Sequence, residues 1–575
     1  MTIVIALVGG LLLPASASAG RAITEPCQTV FCAGVSGDGS RVVFPFEEEL
    51  TAGAGNRQIY EWNGGAVRPL LPPSTGYWPQ LDGVSADATH VFVLTSVPLS
   101  PGDTDGSGWD VYDIAGGAES LVSTGPLDPQ TAVTSNRFAG ASPDGSRVFF
   151  ESSSKLTAND LDECPDLYQR SAGVTTLVGP NPDPPQLPLC EWAEFGGVSG
   201  DGSHFFFVSG VELESGDEKG EDIYQQVGTA LTRLTTYPEP EWNCTESPRF
   251  VDASSDGGTI LFTTNSAVVP EDTDRADDLY KRRPDGTFVL VSRDTPGGEG
   301  CGFSGERGVA LSADGHSEIF ETSAALSSAD HDSANDLYRA DDSGGVELIS
   351  TGPTDSGVEE PTNIYPDWLT LVSDDASVVA FETRQQLVAA DKDGAADVYV
   401  RAGGRTELVS TGPSGRRVGP KAELLGLSGD GSTVVFATWE QLVAGDTDHE
   451  RDIYLRRLGS KHPVLLSAET IPPRMRISRH GKLLPSGEIG IRIGCPKAET
   501  SGPCHGKVKL ATGRRGRTIG RAGFRIDAGK RMLTSVRLLR SASLPRHAAV
   551  YASVRGIDRL GNAATATRRV TLVGH

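Results

Sequence analysis

The chain has little that would let it cross a membrane as helices, hold a transition metal or attack a carbonyl. Outside an apolar stretch at residues 3–13, no run approaches the roughly 20 apolar residues that a bilayer-spanning helix needs. No Cys-x-x-Cys occurs, which argues against a zinc knuckle and a thioredoxin-type centre. The Gly-x-Ser-x-Gly elbow of α/β-hydrolases is missing: the turns at Ser36, Ser85, Ser199 and Ser428 lack its final Gly and read as hairpins. Ten histidines are scattered rather than clustered, with His90 and His204 beside turns and His331 and His449 in acidic loops.

What the chain does have is acid, glycine and a repeat. The net charge of −25 hides a division, because residues 471–575 hold 22 Lys and Arg against 4 acids, a net +18. The remainder then carries 29 bases against 72 acids, and such asymmetry predicts two domains. Residues 1–19 combine the apolar run with Ala15-Ser-Ala17-Ser-Ala19 and read as a secretory signal. The mature chain is then expected outside the cytoplasm, secreted or associated with the cell envelope, with no membrane span. Eight cysteines suit an oxidising compartment. The preferred pairs are Cys27–Cys32, Cys164–Cys190, Cys244–Cys301 and Cys495–Cys504.

The repeat has two marks. One is an acidic loop of the form Asp-x-Asp-x-x-x-Asp leading into an aliphatic residue and Tyr. It occurs at Asp160/Asp162/Asp166, Asp272/Asp274/Asp278, Asp330/Asp332/Asp336, Asp391/Asp393/Asp397 and Asp446/Asp448/Asp452, with one extra residue at Asp103/Asp105/Asp110. The loop before Tyr224 is degenerate and the one before Tyr60 has lost its acids. Eight of the 12 tyrosines occupy this slot (Tyr60, Tyr112, Tyr168, Tyr224, Tyr280, Tyr338, Tyr399, Tyr454), too many for chance. The other mark, some 25 residues earlier, is Ser-x-Asp with Phe six residues after the Asp, replaced only by Val93 in the second copy. Self-similarity of this kind signals units that bury their apolar faces only against one another.

Each unit reads as four short strands: one into the Ser-x-Asp turn, a Val-x-Phe strand, a strand opening Asp-Val-Tyr, and a last strand such as Glu407-Leu-Val-Ser410. Eight units of four strands predict an all-β, eight-bladed β-propeller. With Ser142-Pro143-Asp144-Gly145 and the Val-x-Phe and Val-Tyr strands on the page, the repeats resemble the WD40-like (PD40) repeats of TolB-like propellers. That resemblance implies the fold over roughly 33–468 and no particular activity. The expected domains are a signal peptide at 1–19, the propeller at 20–468, a linker at 469–474 and a small basic β-sandwich at 475–575. Period-two alternation in Glu488–Ile493, Gly506–Leu510 and Ala548–Val554 supports the sandwich. Its closing Asp558-Arg-Leu-Gly-Asn562 resembles the last hairpin of bacterial Ig-like or fibronectin-like modules.

Two chemistries compete for the acidic loops. Ca2+ takes six to eight oxygen ligands, which closely spaced aspartates on a turning loop supply; the same aspartates can instead close Asx-turns on backbone amides. In the sandwich, Arg514, Arg515, Arg517, Arg521, Arg525, Lys530 and Arg531 suit an anionic envelope polymer, or a basic face that docks on the acidic propeller. Without interleaved aromatics, nucleic acid is not expected. The reading that results is an exported, monomeric, non-catalytic binding or scaffold protein with a protein or polysaccharide ligand at the propeller. Its alternative is a carbohydrate-active enzyme, a lyase or glycosidase, with its site in the propeller channel.

Overall fold

The structure is a computed structural model. It describes residues 32–573 except 52–53, 74–78, 107, 129–135, 162–163, 179–192, 212, 214–220, 236–247, 274–276, 293–306, 332–333, 355–368, 414–420, 444–445, 447–449, 468–474, 496–503, 515, 528, 540–548 and 558–562. Every regular element among these residues is a strand.

Eight four-stranded antiparallel sheets follow one another at residues 34–69, 80–121, 136–178, 193–233, 249–290, 307–348, 371–408 and 422–465. Each is made of four consecutive strands in sequence order, so the expected eight-bladed propeller is what the chain forms. The two sequence marks explain how blades are built and joined. Phe and Tyr of the marks stand directly opposite each other on the second and third strands, as in Phe381↔Tyr399 and Phe436↔Tyr454, with Val93↔Tyr112 in the second blade. Their rings lie 5.5–6.1 Å apart. Each pair is buried not within its own blade but against the preceding one. Phe381 and Tyr399 pack on Ile319 and Leu337 of blade 6, and Phe436 and Tyr454 pack on Ala380 and Val398 of blade 7. Phe44 and Tyr60 of the first blade pack on Val435 and Ile453 of the last, which closes the ring.

In all eight Ser-x-Asp turns the serine hydroxyl donates to the aspartate, at 2.6–2.8 Å. The same hydroxyl accepts a backbone N–H from the start of the second strand, as from Arg41 at 2.9 Å. The residue after the aspartate needs the left-handed region in every copy. Gly supplies it in six, and Ala88 and Ala376 adopt φ of 52° and 53° in the other two. Backbone hydrogen bonds then link turn to turn in two runs, from Gly37 to Ala86 to Pro143, and from Asp201 to Ser255, Ala313, Asp374 and Gly429, with Asp430 bonding back to Gly37. Six of the innermost strands carry a register shift at one equivalent position, for example between Leu424 and Gly426. The extra residue bends the strand.

The basic C-terminal region is also β, and it goes one step beyond the expected two-layer sandwich. Strands Arg476–Leu483, Ile489–Gly494, Cys504–Ala511, Thr518–Ile526, Arg531–Leu538, Ala549–Ile557 and Ala563–Val573 form one sheet in the order first, second, fifth, fourth, third, sixth, seventh. Parallel pairing of the first and last, His480↔Thr571 to Lys482↔Val573, closes it into a barrel. Its alternate residues, among them Ile491, Val508, Leu510, Val550, Ala552 and Val554, fill the inside. The Cys495–Cys504 disulfide is present as expected. Cys32 and Cys164 are also disulfide-bonded; Cys27, Cys190, Cys244 and Cys301 lie outside the described residues.

Candidate functional site

The acidic loops sit between the second and third strands, and their first and last aspartates have fixed structural partners. The hydroxyl of the repeat tyrosine donates to the first aspartate in six blades: Tyr112 to Asp103, Tyr168 to Asp160, Tyr280 to Asp272, Tyr338 to Asp330, Tyr399 to Asp391 and Tyr454 to Asp446. Burial first, and then this hydrogen bond, push those six phenols well above their ordinary range. The last aspartate opens the third strand and accepts a hydroxyl from the end of the fourth. Ser123 reaches Asp110 at 2.7 Å, Ser292 reaches Asp278 at 2.8 Å, Ser350 reaches Asp336 at 2.5 Å and Ser410 reaches Asp397 at 2.7 Å; Ser467 bonds Asp452 in the same way. Part of the acidic pattern is therefore the turn chemistry expected of it.

Blades with fewer loop acids neutralise the same position differently. Blade 1 puts Gln58 there, whose amide donates to the Leu71 carbonyl at 2.9 Å. Blade 4 keeps Asp222 and adds Arg233 at 3.3 Å.

Two described triads bring three carboxylates together: Asp103/Asp105/Asp110 and Asp391/Asp393/Asp397, each with one oxygen per residue within 4.8 Å of the others. That is twice a Ca–O bond of about 2.4 Å, the largest spacing one ion can bridge. The triads differ in what the oxygens already do. In blade 7, Asp391 takes the Tyr399 hydroxyl at 2.6 Å on Oδ2 and the Asp393 N–H at 3.1 Å on Oδ1, so both its oxygens are used. In blade 2, Tyr112 uses only Oδ2 of Asp103, and Oδ1 is shut from solvent with no hydrogen-bond partner. Asp160, 6% exposed, repeats this arrangement in blade 3.

Asp105 completes the blade 2 loop by accepting the Gly108 N–H at 2.9 Å. A Cβ on Gly108 would lie 2.3 Å from Asp105 Oδ2, so glycine is what lets the carboxylate fold over the loop. Burial pushes the Asp110 carboxyl up to about 6; the Ser123 hydroxyl opposes the rise, and the charges of Asp103, Asp105 and Asp128 add to it. Asp162, Asp274, Asp332 and Asp448 lie outside the described residues, so the other four loops are seen only through Asp160, Asp166, Asp272, Asp278, Asp330, Asp336, Asp446 and Asp452.

The inner strands hold groups that sequence reasoning did not reach. Arg137, Glu194, Arg249, Arg307 and Glu423 occupy one equivalent position near their start. Glu321 and Glu382 lie on the second strands of blades 6 and 7, and burial pushes both carboxyls up to about 7. Asp82, at the bulge of its inner strand and 4% exposed, is likewise raised by burial to about 7 despite the Arg137 charge. The local sign of the bulge is the glycine that follows it, at Gly83, Gly140, Gly197 and Gly426, and it says nothing of the acid at Asp82.

No family model matches this chain, and no curated protein matches it. Among solved structures it is similar to puromycin hydrolase, at 11% identity and a TM-score of 0.34, and to a mutant of that enzyme complexed with PGG, at 12% and 0.35. Each match covers 84% of this chain and 60% of the other. Both are structures of a hydrolase, so the expected non-catalytic scaffold has no counterpart in them, and neither has its carbohydrate-active alternative. At such TM-scores nothing of the hydrolase is carried over to this chain, and the propeller rests on its own geometry.

Proposed function

We propose that this chain is an exported calcium-binding propeller of the TolB-like kind, with the cation seated at Asp103, Asp105 and Asp110. The observation that carries this reading is the blade 2 triad: three carboxylates within 4.8 Å, one of them with an oxygen shut from solvent and unbonded. Burial first, and then the charges of Asp103, Asp105 and Asp128, push Asp110 toward protonation; a divalent ion would oppose both and supply the missing partner of Asp103. Export fits the signal-like residues 1–19 and the disulfide-bonded state of Cys32, Cys164, Cys495 and Cys504. The TolB-like assignment rests on Ser142-Pro143-Asp144-Gly145 and its partial copies.

Extracellular calcium modules bind at roughly 10⁻⁴–10⁻³ M, and at ten times Kd one site adds about 1.4 kcal/mol of stability. Titration calorimetry with CaCl2 and melts in EDTA or calcium test the reading. Calcium is expected to bind and to raise the melting temperature, and Asp105→Asn is expected to remove most of both effects. No heat and no shift at 5-fold the upper end of that range, about 5 mM, would leave only turn chemistry in the loops.

A further inference from the structure

We propose that the C-terminal barrel carries an anion site, for a compact ligand bearing two or more phosphate-type charges, in the cleft where Arg476, Arg492, Arg531 and Arg568 meet. The cleft encloses about 500 Å3, within the range of small-molecule sites, and those four arginines are its only charged lining among the described residues. They come from four different strands, and only Arg531 belongs to the basic residues that stand out in the sequence.

The register shows how they converge. Gly494 pairs with Arg476 on one neighbouring strand and with Arg531 on the other. A Cβ at Gly494 would come within 3.1 Å of Arg531 Cγ and 3.6 Å of Arg476 Cβ, so the glycine leaves an open floor between the two stems. Arg492, two residues earlier, projects from the same face of that strand. Arg568 closes the far side, its direction set by a 2.9 Å hydrogen bond from its guanidinium to the Ile477 carbonyl.

None of the four pairs with a carboxylate among the described residues, whereas Arg537 of the same barrel lies 3.5 Å from Glu488. Four like charges around one cavity repel one another unless an anion enters, and guanidinium forks match the oxygens of phosphate groups. The cleft is larger than one orthophosphate needs, and charge on opposing walls favours a ligand with two anionic groups. The general field of a domain with net +18 would attract any anion weakly; a built site differs by depending on these four residues.

Titration calorimetry of the full chain with pyrophosphate, in calcium-free buffer at low salt, tests this independently of the propeller loops. One saturable site is expected, weakened about tenfold or more by Arg476→Gln and by Arg531→Gln and unchanged by Arg537→Gln, which lies outside the cleft. All three arginines are exposed, so the variants should keep the circular dichroism of the parent. Sedimentation with phosphatidylglycerol vesicles identifies the source of the anion. Co-sedimentation that pyrophosphate competes away, and that the two cleft variants lose, assigns a lipid headgroup; pyrophosphate binding without co-sedimentation assigns a soluble phosphorylated ligand. The proposal is overturned if pyrophosphate does not saturate, or if Arg537→Gln weakens it as much as the cleft variants do.

Discussion

The tyrosine that organises each repeat offers a comparison inside one molecule: the same ring in the same slot, with and without a carboxylate. In blade 7 the Tyr399 hydroxyl donates at 2.6 Å to Asp391, which is 1% exposed. In blade 1 the Tyr60 hydroxyl accepts the Leu50 N–H at 2.9 Å and reaches the Glu48 carbonyl at 3.4 Å, both neutral groups. Tyr→Phe leaves ring packing intact in both, because the rings face Phe381 and Phe44 at 6.1 Å. Losing a neutral hydrogen bond costs about 1 kcal/mol, whereas leaving a buried charged acceptor short of a partner costs about 1.5–3 kcal/mol or more. Tyr399→Phe should therefore destabilise by about twice as much as Tyr60→Phe. Urea melts in EDTA, followed by intrinsic fluorescence, measure both; EDTA keeps calcium from compensating Asp391. Adding Asp391→Asn to Tyr399→Phe should recover part of the loss, since the pair is coupled. Equal losses at the two tyrosines, or full additivity in the double variant, would mean that the hydroxyl does not hold the loop.

Stability should fall as pH rises from about 4 to about 7. Asp82, Glu321 and Glu382, raised by burial to about 7, and Asp110, at about 6, keep their protons in the folded state when the unfolded chain has lost them, and above pH 7 the curve should flatten. Below pH 4 the trend reverses. Hydrogen bonds from Ser40 and Ser36 hold Asp38 low, and hydrogen bonds from Gly258 and Ser254 do the same for Asp256, so this stability is lost as those carboxyls protonate. Thermal melts across pH 3–8 in EDTA check both limbs, and a maximum above pH 6 would contradict them. Lys281→Met should cost about 3–5 kcal/mol at pH 7, because the ammonium, 2% exposed, bonds Glu318 and Asp342 at 2.7 Å each across blades 5 and 6. Burial already raises the Glu318 carboxyl, so the penalty should shrink at pH 5, where it takes up a proton more readily; chemical melts at the two pH values test this. Phe381→Ala removes a side chain 1% exposed at the blade 6–7 interface and should cost about 3–5 kcal/mol in the same assay.

What could be read in advance followed the repeat. Tyr399 and Phe381 were legible because eight copies of one slot make a signal that a single strand does not, and because a cross-strand pair is set by local pairing. The Ser-x-Asp turns were legible for the same reason. The hydroxyls of Ser123, Ser292, Ser350, Ser410 and Ser467 stand at the ends of strands whose pattern was visible, yet their partners lie 13–15 residues back on a different strand. Barrel closure was illegible because it joins His480 to Thr571, across nearly the whole domain. The arginine cleft depends on that closure. Arg514, Arg515 and Arg517 are close together in sequence, whereas Arg476, Arg492 and Arg568 become neighbours only once the sheet has curled shut.

Among the described residues every blade is four consecutive strands, and no strand from one end of the propeller completes a sheet at the other. The ring must then close through the same contacts that join any two blades, and the first–last junction has them. Ala33 donates its N–H to the Leu425 carbonyl at 2.8 Å, and Asp430 donates to Gly37 at 2.8 Å. A Cβ on Gly39 would lie 2.2 Å from Thr433 Oγ1, so the turn of blade 1 sits as tightly on blade 8 as Gly145 does on His90 between blades 2 and 3. Blade 1 has Glu47, Glu48 and Glu49 in its loop in place of the aspartate pattern, and Trp62, Phe46 and Val67 belong to the apolar contact it makes with blade 8. The blade that lacks the aspartate loop thus adds apolar surface at the junction that closes the ring, where nonpolar burial is non-directional and tolerates the adjustment that closure demands. The aspartate loop is itself compatible with that junction: blade 8, on its other side, keeps Asp446 and Asp452, bonded by the hydroxyls of Tyr454 and Ser467.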